Sequence, residues 1–404
     1  MKFSKLSQLF LVSTIGLLVA TYISGCLIVT IDYVYVASSA GSGISSSGQI
    51  QVYAADGASG ALRLIDKAVS SGGNQPVALA VTSDYANLYV ANQSNDMVVH
   101  FSIAADGSLT EKDEVNVGST PVSIAVNTAN SYLYVASGTT SATLSEYSLG
   151  SGGVIGSLVA SESLTVPGFS GDIIVPTAVA VLPNKKGVYV SAYDHSSYDP
   201  GCPACLTSSA NPGWIFGYAV GSGGALTVAA LSPYNAGVKP TALVIDPTNR
   251  FLYATDFASN ALIGYTFQGG TSLAAMAAGP FKAGNEPSAV TIDPRGIYMY
   301  VTNALDSTIL GYSIQLSTGI PSSQINNGGT PSTDTDPVAI AVDPALGRFV
   351  YTANYLGNSI SGLRLDPTTG MLTFDQATPY PSGAYPTALA IIPNGNHATE
   401  VVTP

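Results

Sequence analysis

The sequence predicts an all-β chain folded as a seven-bladed β-propeller, each blade a four-stranded antiparallel sheet. Three observations carry this. A short proline-led apolar run recurs seven times: PVALAV at Pro76, PVSIAV at Pro121, PTAVAV at Pro176, PTALVI at Pro240, PSAVTI at Pro287, PVAIAV at Pro337 and PTALAI at Pro386. The intervals are 45, 55, 64, 47, 50 and 49 residues, the period of blades built from four strands. The chain also begins midway through a unit and stops soon after opening one, so its two ends complement each other.

The stretch from Pro240 to Tyr265 shows how one unit works. Proline cannot donate a ladder hydrogen bond, which suits the first position of a strand. The run Ala242 to Ile245 is too short for a helix and suits a strand buried on both faces. DPTNR is a turn, with proline presetting φ and Asp or Asn bonding back to the backbone. FLYAT is a second strand, DFASN a polar connection and ALIGYTF a third strand; a Gly-rich turn and a weaker fourth strand follow. Such a unit cannot cover its own faces, so units must stack. At the ends, DYVYVAS reads as a second strand, QIQVYAA as a third and ALRLID as a fourth, all waiting for the first strand that Pro386 opens. N- and C-terminal strands then share the seventh blade and close the ring without a free edge. ATEVV, at 398–402, reads as a tail or a minor added strand.

The second strands VYVSA, MYVTN and FVYTAN resemble the YVTN-type repeat of seven-bladed propellers. That family shades into the propeller-fold lactonases, which include 6-phosphogluconolactonases. The resemblance covers about residues 30 to 402 and implies the fold more sharply than an activity.

The N-terminus reads as an export signal over residues 1–25. Lys2 and Lys5 are followed by the apolar stretch Leu9 to Tyr22 and small residues before a cut. Ile23-Ser24-Gly25-Cys26 resembles the bacterial lipobox, which implies a diacylated Cys26 as the mature N-terminus and stable membrane anchoring. Leu27 after that cysteine, rather than Asp, leans towards the outer membrane or cell surface. Residues 26–32 are then a short tether and 33–404 the propeller.

Charged residues make up only 9% of the 404-residue chain, and its formal net charge is −12. Nucleic-acid binding draws its affinity from Lys and Arg on phosphates, so that class is disfavoured, as are polyanionic substrates. The Asp-Pro turns are short and share one face. The long, variable connections share the other, and function is expected there. The longest connection, 193–214, carries His195, Cys202, Cys205 and Trp214. Cys202 and Cys205 read first as a small disulfide, ahead of a metal site with His195 and Asp194 or Asp199 and of a redox pair.

On that face His195, Asp194 and Asp256 are the candidates for catalysis; Glu286, Asp306 and Lys239 are further charged groups there. No family catalytic residue can be carried over, because no segment matches the lactonase His pattern. Asn92, Asp256, Asn303 and Asn354 recur after the second strands, either as turn caps or as a ring of polar groups offered to a ligand. Tyr193, Trp214 and Tyr355 can stack on a sugar or peptide. Tyr89, Tyr134, Tyr189, Tyr253 and Tyr300 read as strand packing. No metal and no cofactor is implied. The main reading is a monomeric, envelope-anchored binding scaffold for a polar ligand, an envelope protein or a polysaccharide. The alternative is an extracytoplasmic lactonase-like hydrolase acting on a non-phosphorylated lactone.

Overall fold

The computed structural model describes residues 29–39, 47–65, 67–167, 173–195, 212–325 and 329–400. The export signal, Cys26, Cys202 and Cys205 lie outside these residues. Seven antiparallel sheets stand around a central channel. Their innermost strands are Pro76–Val81, Pro121–Val126, Ile174–Val181, Pro240–Ile245, Pro287–Ile292, Pro337–Val342 and Pro386–Pro393. Each packs against the next until the last meets the first. We number the blades 1 to 6 by these strands from Pro76 onward; blade 7 is the one the termini share.

Blade 7 forms as the sequence indicates. Pro386–Pro393 pairs with Thr30–Ser39, that strand with Ser47–Asp56, and Leu62–Leu64 lies outermost. The second strand starts at Thr30, two residues ahead of the Asp32 that opens DYVYVAS, because Thr30 pairs with Asp56 of the third strand. Of the segment at 398–402, residues 398–400 form no strand and 401–402 lie outside the described residues. Gly395–Thr399 is a 3₁₀ turn, held against the ring where the Asn394 side chain donates to Thr30 O at 2.9 Å and where His397 is buried.

Innermost strands are only partly buried because one side faces the channel, whereas second strands such as Phe251–Asp256 are buried throughout. The blades are therefore held by their second strands. Each carries a fully buried tyrosine: Tyr35, Tyr89, Tyr134, Tyr189, Tyr253, Tyr300 and Tyr351. Six of the seven hydroxyls donate to a backbone carbonyl of the following blade. Tyr35 reaches Gly107 O at 2.9 Å, Tyr89 Gly153 O at 2.5 Å, Tyr189 Thr271 O at 2.6 Å, and Tyr300 and Tyr351 reach Gly370 O and Gly60 O, each at 2.7 Å. Tyr253 bonds Gly319 O in the same way. The residue across the ladder from the ring is glycine in blades 3 to 6 (Gly217, Gly264, Gly311, Gly362). A Cβ at Gly311 would lie 3.1 Å from the Tyr300 ring, so the ring lies flat over bare backbone.

Blade 2 departs from the pattern. Its tyrosine, Tyr134, stands across from Glu146 rather than glycine. Glu146 is buried, and neither carboxylate oxygen has a well-formed hydrogen bond. A Cβ on Gly224 of blade 3 would sit 2.0 Å from Glu146 Oε1, and Gly224 also has φ +85°, so glycine is required there. Burial pushes Glu146 up to about 7 while the facing Tyr134 hydroxyl pulls the other way. Asp375, between blades 6 and 7, is likewise buried, lacks a partner and is pushed up to about 7, against the pull of Arg364.

A second tie runs along the channel. Hydroxyls following the anchor prolines donate to the next blade's anchor carbonyl: Thr241 to Pro287 O at 2.9 Å, Ser288 to Pro337 O at 2.5 Å and Thr387 to Pro76 O at 2.6 Å. The last of these crosses the closing seam.

Two outcomes follow for stability. Tyr300→Phe leaves the buried Gly370 carbonyl without its donor and should cost about 1–3 kcal/mol. Tyr134→Phe, with no such carbonyl tie, should cost less; urea denaturation of the two variants checks the order. Glu146 and Asp375 titrate higher folded than unfolded, so the folded chain binds more protons and stability falls as pH rises from about 4 to about 7. The melting temperature should therefore be higher near pH 4.5 than near pH 7.5, and Glu146→Gln combined with Asp375→Asn should shrink the difference.

Candidate functional site

Strand register settles which groups share which rim. Each anchor proline stands opposite the end of its second strand, as Pro240 opposite Asp256 and Pro287 opposite Asn303. The connections from second to third strands and the approaches to the anchors therefore lie on one rim. The Asp-Pro turns lie on the other.

Asn92, Asp256, Asn303 and Asn354 occupy equivalent positions, all essentially inaccessible. Asp256 accepts from the backbone N–H groups of Val238 and Lys239, both at 2.9 Å. Asn303 accepts from Gly284 N at 3.0 Å. Asn92 exchanges hydrogen bonds with Ser71 at 2.6 and 2.8 Å. Asn354 is spent on Thr352, Ser359 and Ser361 at 2.9 to 3.0 Å. Asn92, Asp256 and Asn303 are caps that hold the loop before their anchors, while Asn354 ties its own second and third strands. Trp214 and Asp194 are also buried, Trp214 in the apolar cluster between blades 2 and 3. His195 is exposed and stacks on Tyr193, ring centroids 6.3 Å apart. The structure thus keeps His195 and Tyr193 on the rim and withdraws Asp194, Asp256 and Trp214 into the protein.

What the caps present is the residue just before each anchor proline. Around the channel mouth these are Gln75, Thr120, Val175, Lys239, Glu286, Asp336 and Tyr385. Four are in the left-handed region: Gln75 at φ 51°, Glu286 at 55°, Asp336 at 60° and Tyr385 at 52°. Such a backbone costs about 1–2 kcal/mol in a non-glycine residue, and strain of this kind clusters at functional sites. The fold holds it there through the carbonyls, as when Glu286 O accepts from Ala304 N at 2.8 Å and Asp336 O from Tyr355 N at 2.7 Å.

Three of these residues, in successive blades 4, 5 and 6, carry charge. Lys239 is half-buried, its ammonium 4.7 Å from the Phe257 ring centroid and 5.6 Å from that of Tyr193. Burial lowers its pKa and the Glu286 carboxylate works against that. Asp336 is raised, first by burial and then by repulsion from Glu286. Glu286 thus stands in the field of both neighbours. The Tyr355 backbone N–H donates to Asp336 O, and the Tyr355 ring lies 5.2 Å from that of Tyr385. One cation, two carboxylates of which Asp336 is raised by burial, and a set of aromatic faces are the elements of an acid–base site.

Lys239 and Glu286 were visible in the sequence as charged groups of this face. Asp336 was missed, although its place before Pro337 matches that of Lys239 before Pro240 and Glu286 before Pro287. The other histidines lie elsewhere. His100 is buried, bonded to Asp113 at 2.5 Å and Asn87 at 2.9 Å and stacked on Tyr89. His397 is near the opposite rim. Arg250 and Arg295 are also on the tight-turn side, paired with Asp246 at 2.9 Å and Asp293 at 2.6 Å.

Comparison with known proteins agrees with this architecture. A search of curated protein sequences finds no match. Among solved structures, a periplasmic gluconolactonase of Pseudomonas aeruginosa superposes with a TM-score of 0.71 at 19% identity, over 90% of this chain and 99% of that one. A protein of Bacteroides uniformis, provisionally assigned as a 6-phosphogluconolactonase, gives 0.72 at 17% identity over 90% and 100%. A protein of Lactobacillus plantarum gives 0.68 at 16% over 90% and 100%. At these identities the likeness is one of fold. The sequence profile of the seven-bladed β-propeller lactonases matches residues 27–115, 46–168 and 234–399, and the chain belongs to that family.

Proposed function

We propose that the protein is an extracytoplasmic lactone hydrolase working at the long-loop mouth of its channel, with a non-phosphorylated sugar lactone as substrate class. The observation that carries this reading is the Lys239, Glu286 and Asp336 set in consecutive blades. Membership of a lactonase family places it ahead of the scaffold reading.

Hydrolysis of a lactone needs a base for the attacking water, a cation for the developing oxyanion and an acid for the leaving alkoxide. Glu286 takes the proton of the attacking water. Lys239 faces the charge that builds on the carbonyl oxygen. Asp336, whose raised pKa lets it hold a proton, delivers that proton as the ring C–O bond breaks, and a hydroxy acid leaves. The Glu286 carboxylate at the mouth of a chain of net charge −12 repels a phosphate. Tyr193, Tyr355 and Tyr385 offer faces to a hydroxylated ring, with His195 at the edge.

Export fits the substrate class, since the similar Pseudomonas structure is that of a periplasmic gluconolactonase. Acylation at Cys26, with an outer-membrane or surface location, is part of the same proposal. So is a Cys202–Cys205 disulfide in the connection between Asp194 and Gly213.

The test is a panel of aldonolactones, with and without a phosphate, assayed on purified protein. Turnover should be confined to the unphosphorylated members. Lys239→Met and Asp336→Asn should each lower kcat by about 10²-fold or more, and His195→Ala should act mainly on KM. Because Asp336 works protonated, kcat should fall as pH rises through its raised pKa, and Asp336→Asn should remove that limb. Saturable binding of the lactone without turnover would return the protein to the scaffold reading.

A further inference from the structure

The rim with the tight turns holds a cluster that the proposed chemistry does not use. Asp32 comes from the second strand of blade 7, Asp343 from the first turn of blade 6 and His397 from the C-terminal 3₁₀ turn. Asp32 and Asp343 are wholly buried and His397 is 6% exposed. One ligand atom of each lies within 4.8 Å of the other two. Nε2 of His397 is 3.3 Å from Asp343 Oδ1 and 3.5 Å from Asp32 Oδ1. Neither oxygen of Asp32 has a hydrogen-bond partner, although a buried carboxylate without one is costly.

Blades 4 and 5 serve as internal controls. Their equivalent aspartates, Asp246 and Asp293, also cap the first turn, and each is met by a guanidinium, from Arg250 and Arg295. Asp343 caps its turn too, accepting from Ala345 N at 2.9 Å and Arg348 N at 3.2 Å. Arg348 precedes the second strand there as Arg250 does in blade 4, and its charge acts on Asp32; what this turn adds is His397, facing Asp343, and a second carboxylate, Asp32. Nδ1 of His397 is 2.5 Å from Glu400 Oε2. A carboxylate on Nδ1 holds the proton there and directs the Nε2 lone pair inward, the usual outer-shell arrangement of a metal-ligating histidine. Three electron-pair donors then converge on one buried point.

We propose that Asp32, Asp343 and His397 form a binding site for one divalent first-row cation, Mn²⁺ or Zn²⁺, which staples the seam where the ring closes. Two carboxylate oxygens and one imidazole nitrogen suit such an ion better than Mg²⁺ or Ca²⁺, which take all-oxygen shells. The three ligands belong to the first described strand, the sixth blade and the C-terminus, so one ion ties together the pieces that a seam opening must separate. Binding to the folded state alone raises its stability with ion concentration.

The experiment uses the full-length protein, stripped with a chelator and then titrated with Mn²⁺ alone, read by equilibrium dialysis and electron paramagnetic resonance. Thermal denaturation is followed in parallel. One Mn²⁺ per chain and a melting temperature that climbs with Mn²⁺ are expected. Asp32→Asn should abolish both responses. Glu400→Gln, a half-exposed position where misfolding is not at issue, should weaken binding roughly 10- to 100-fold. The same titration with Zn²⁺ should show the same dependence on Asp32. Absence of stoichiometric uptake, or uptake unchanged in both variants, overturns the proposal. A seam whose stability follows pH but ignores the cation also overturns it, since a proton on His397 would then hold the two carboxylates together.

Discussion

A tyrosine hydroxyl reaching from one blade to a backbone carbonyl of the next is the contact on which this ring depends. Most of the area between blades is apolar, which attracts without direction and tolerates sliding. The hydroxyl supplies direction. Its ring is buried between strands, over a bare glycine backbone in blades 3 to 6, while its tip satisfies a carbonyl in a turn of the neighbouring sheet, so burial and register are set by one side chain. Repeated six times, as from Tyr300 to Gly370, the tie sets the angle between sheets. The shared seventh blade makes the angles close.

Where the repeat departs from itself, polar groups have been placed in the protein interior. Glu146 takes the position of a glycine, and Tyr134 turns to it rather than to blade 3. At the seam, His397 and Asp32 gather on the turn aspartate Asp343, whereas the aspartates of blades 4 and 5 are each met by an arginine alone. A repeat protein supplies its own comparison for such sites, because each regular blade shows the arrangement that packing alone requires. The rim site has the same character: seven equivalent positions precede the anchor prolines, and only the consecutive three in blades 4 to 6 carry charge.

Architecture was largely legible in the chain. The anchor prolines, their period and the complementary ends led to seven blades and a shared seventh, because strand alternation and turn chemistry are local properties. The tyrosines were legible as packing, but their hydrogen bonds were not, since Tyr35 and Gly107 are brought together only by the stacking of two blades. The polar residues after the second strands were ambiguous. Asn92 or Asp256 in a turn can face a ligand or a backbone amide with equal ease, and only the path of the loop before the next anchor decides it.

By itself the sequence determined the repeat, the ring and the division between a rim of tight turns and a rim of long connections. These follow from hydrogen-bonding and steric preferences acting over a few residues. Tertiary structure decided which charges meet. Lys239, Glu286 and Asp336 are separated by a blade apiece along the chain, and Asp32, Asp343 and His397 span almost its whole length. Electrostatic coupling depends on distance through space and on exclusion of water, and neither is written in the order of the residues. Asp336 became a candidate only when the ring put it beside Glu286, and His397 only when the C-terminal turn folded back onto the first strand.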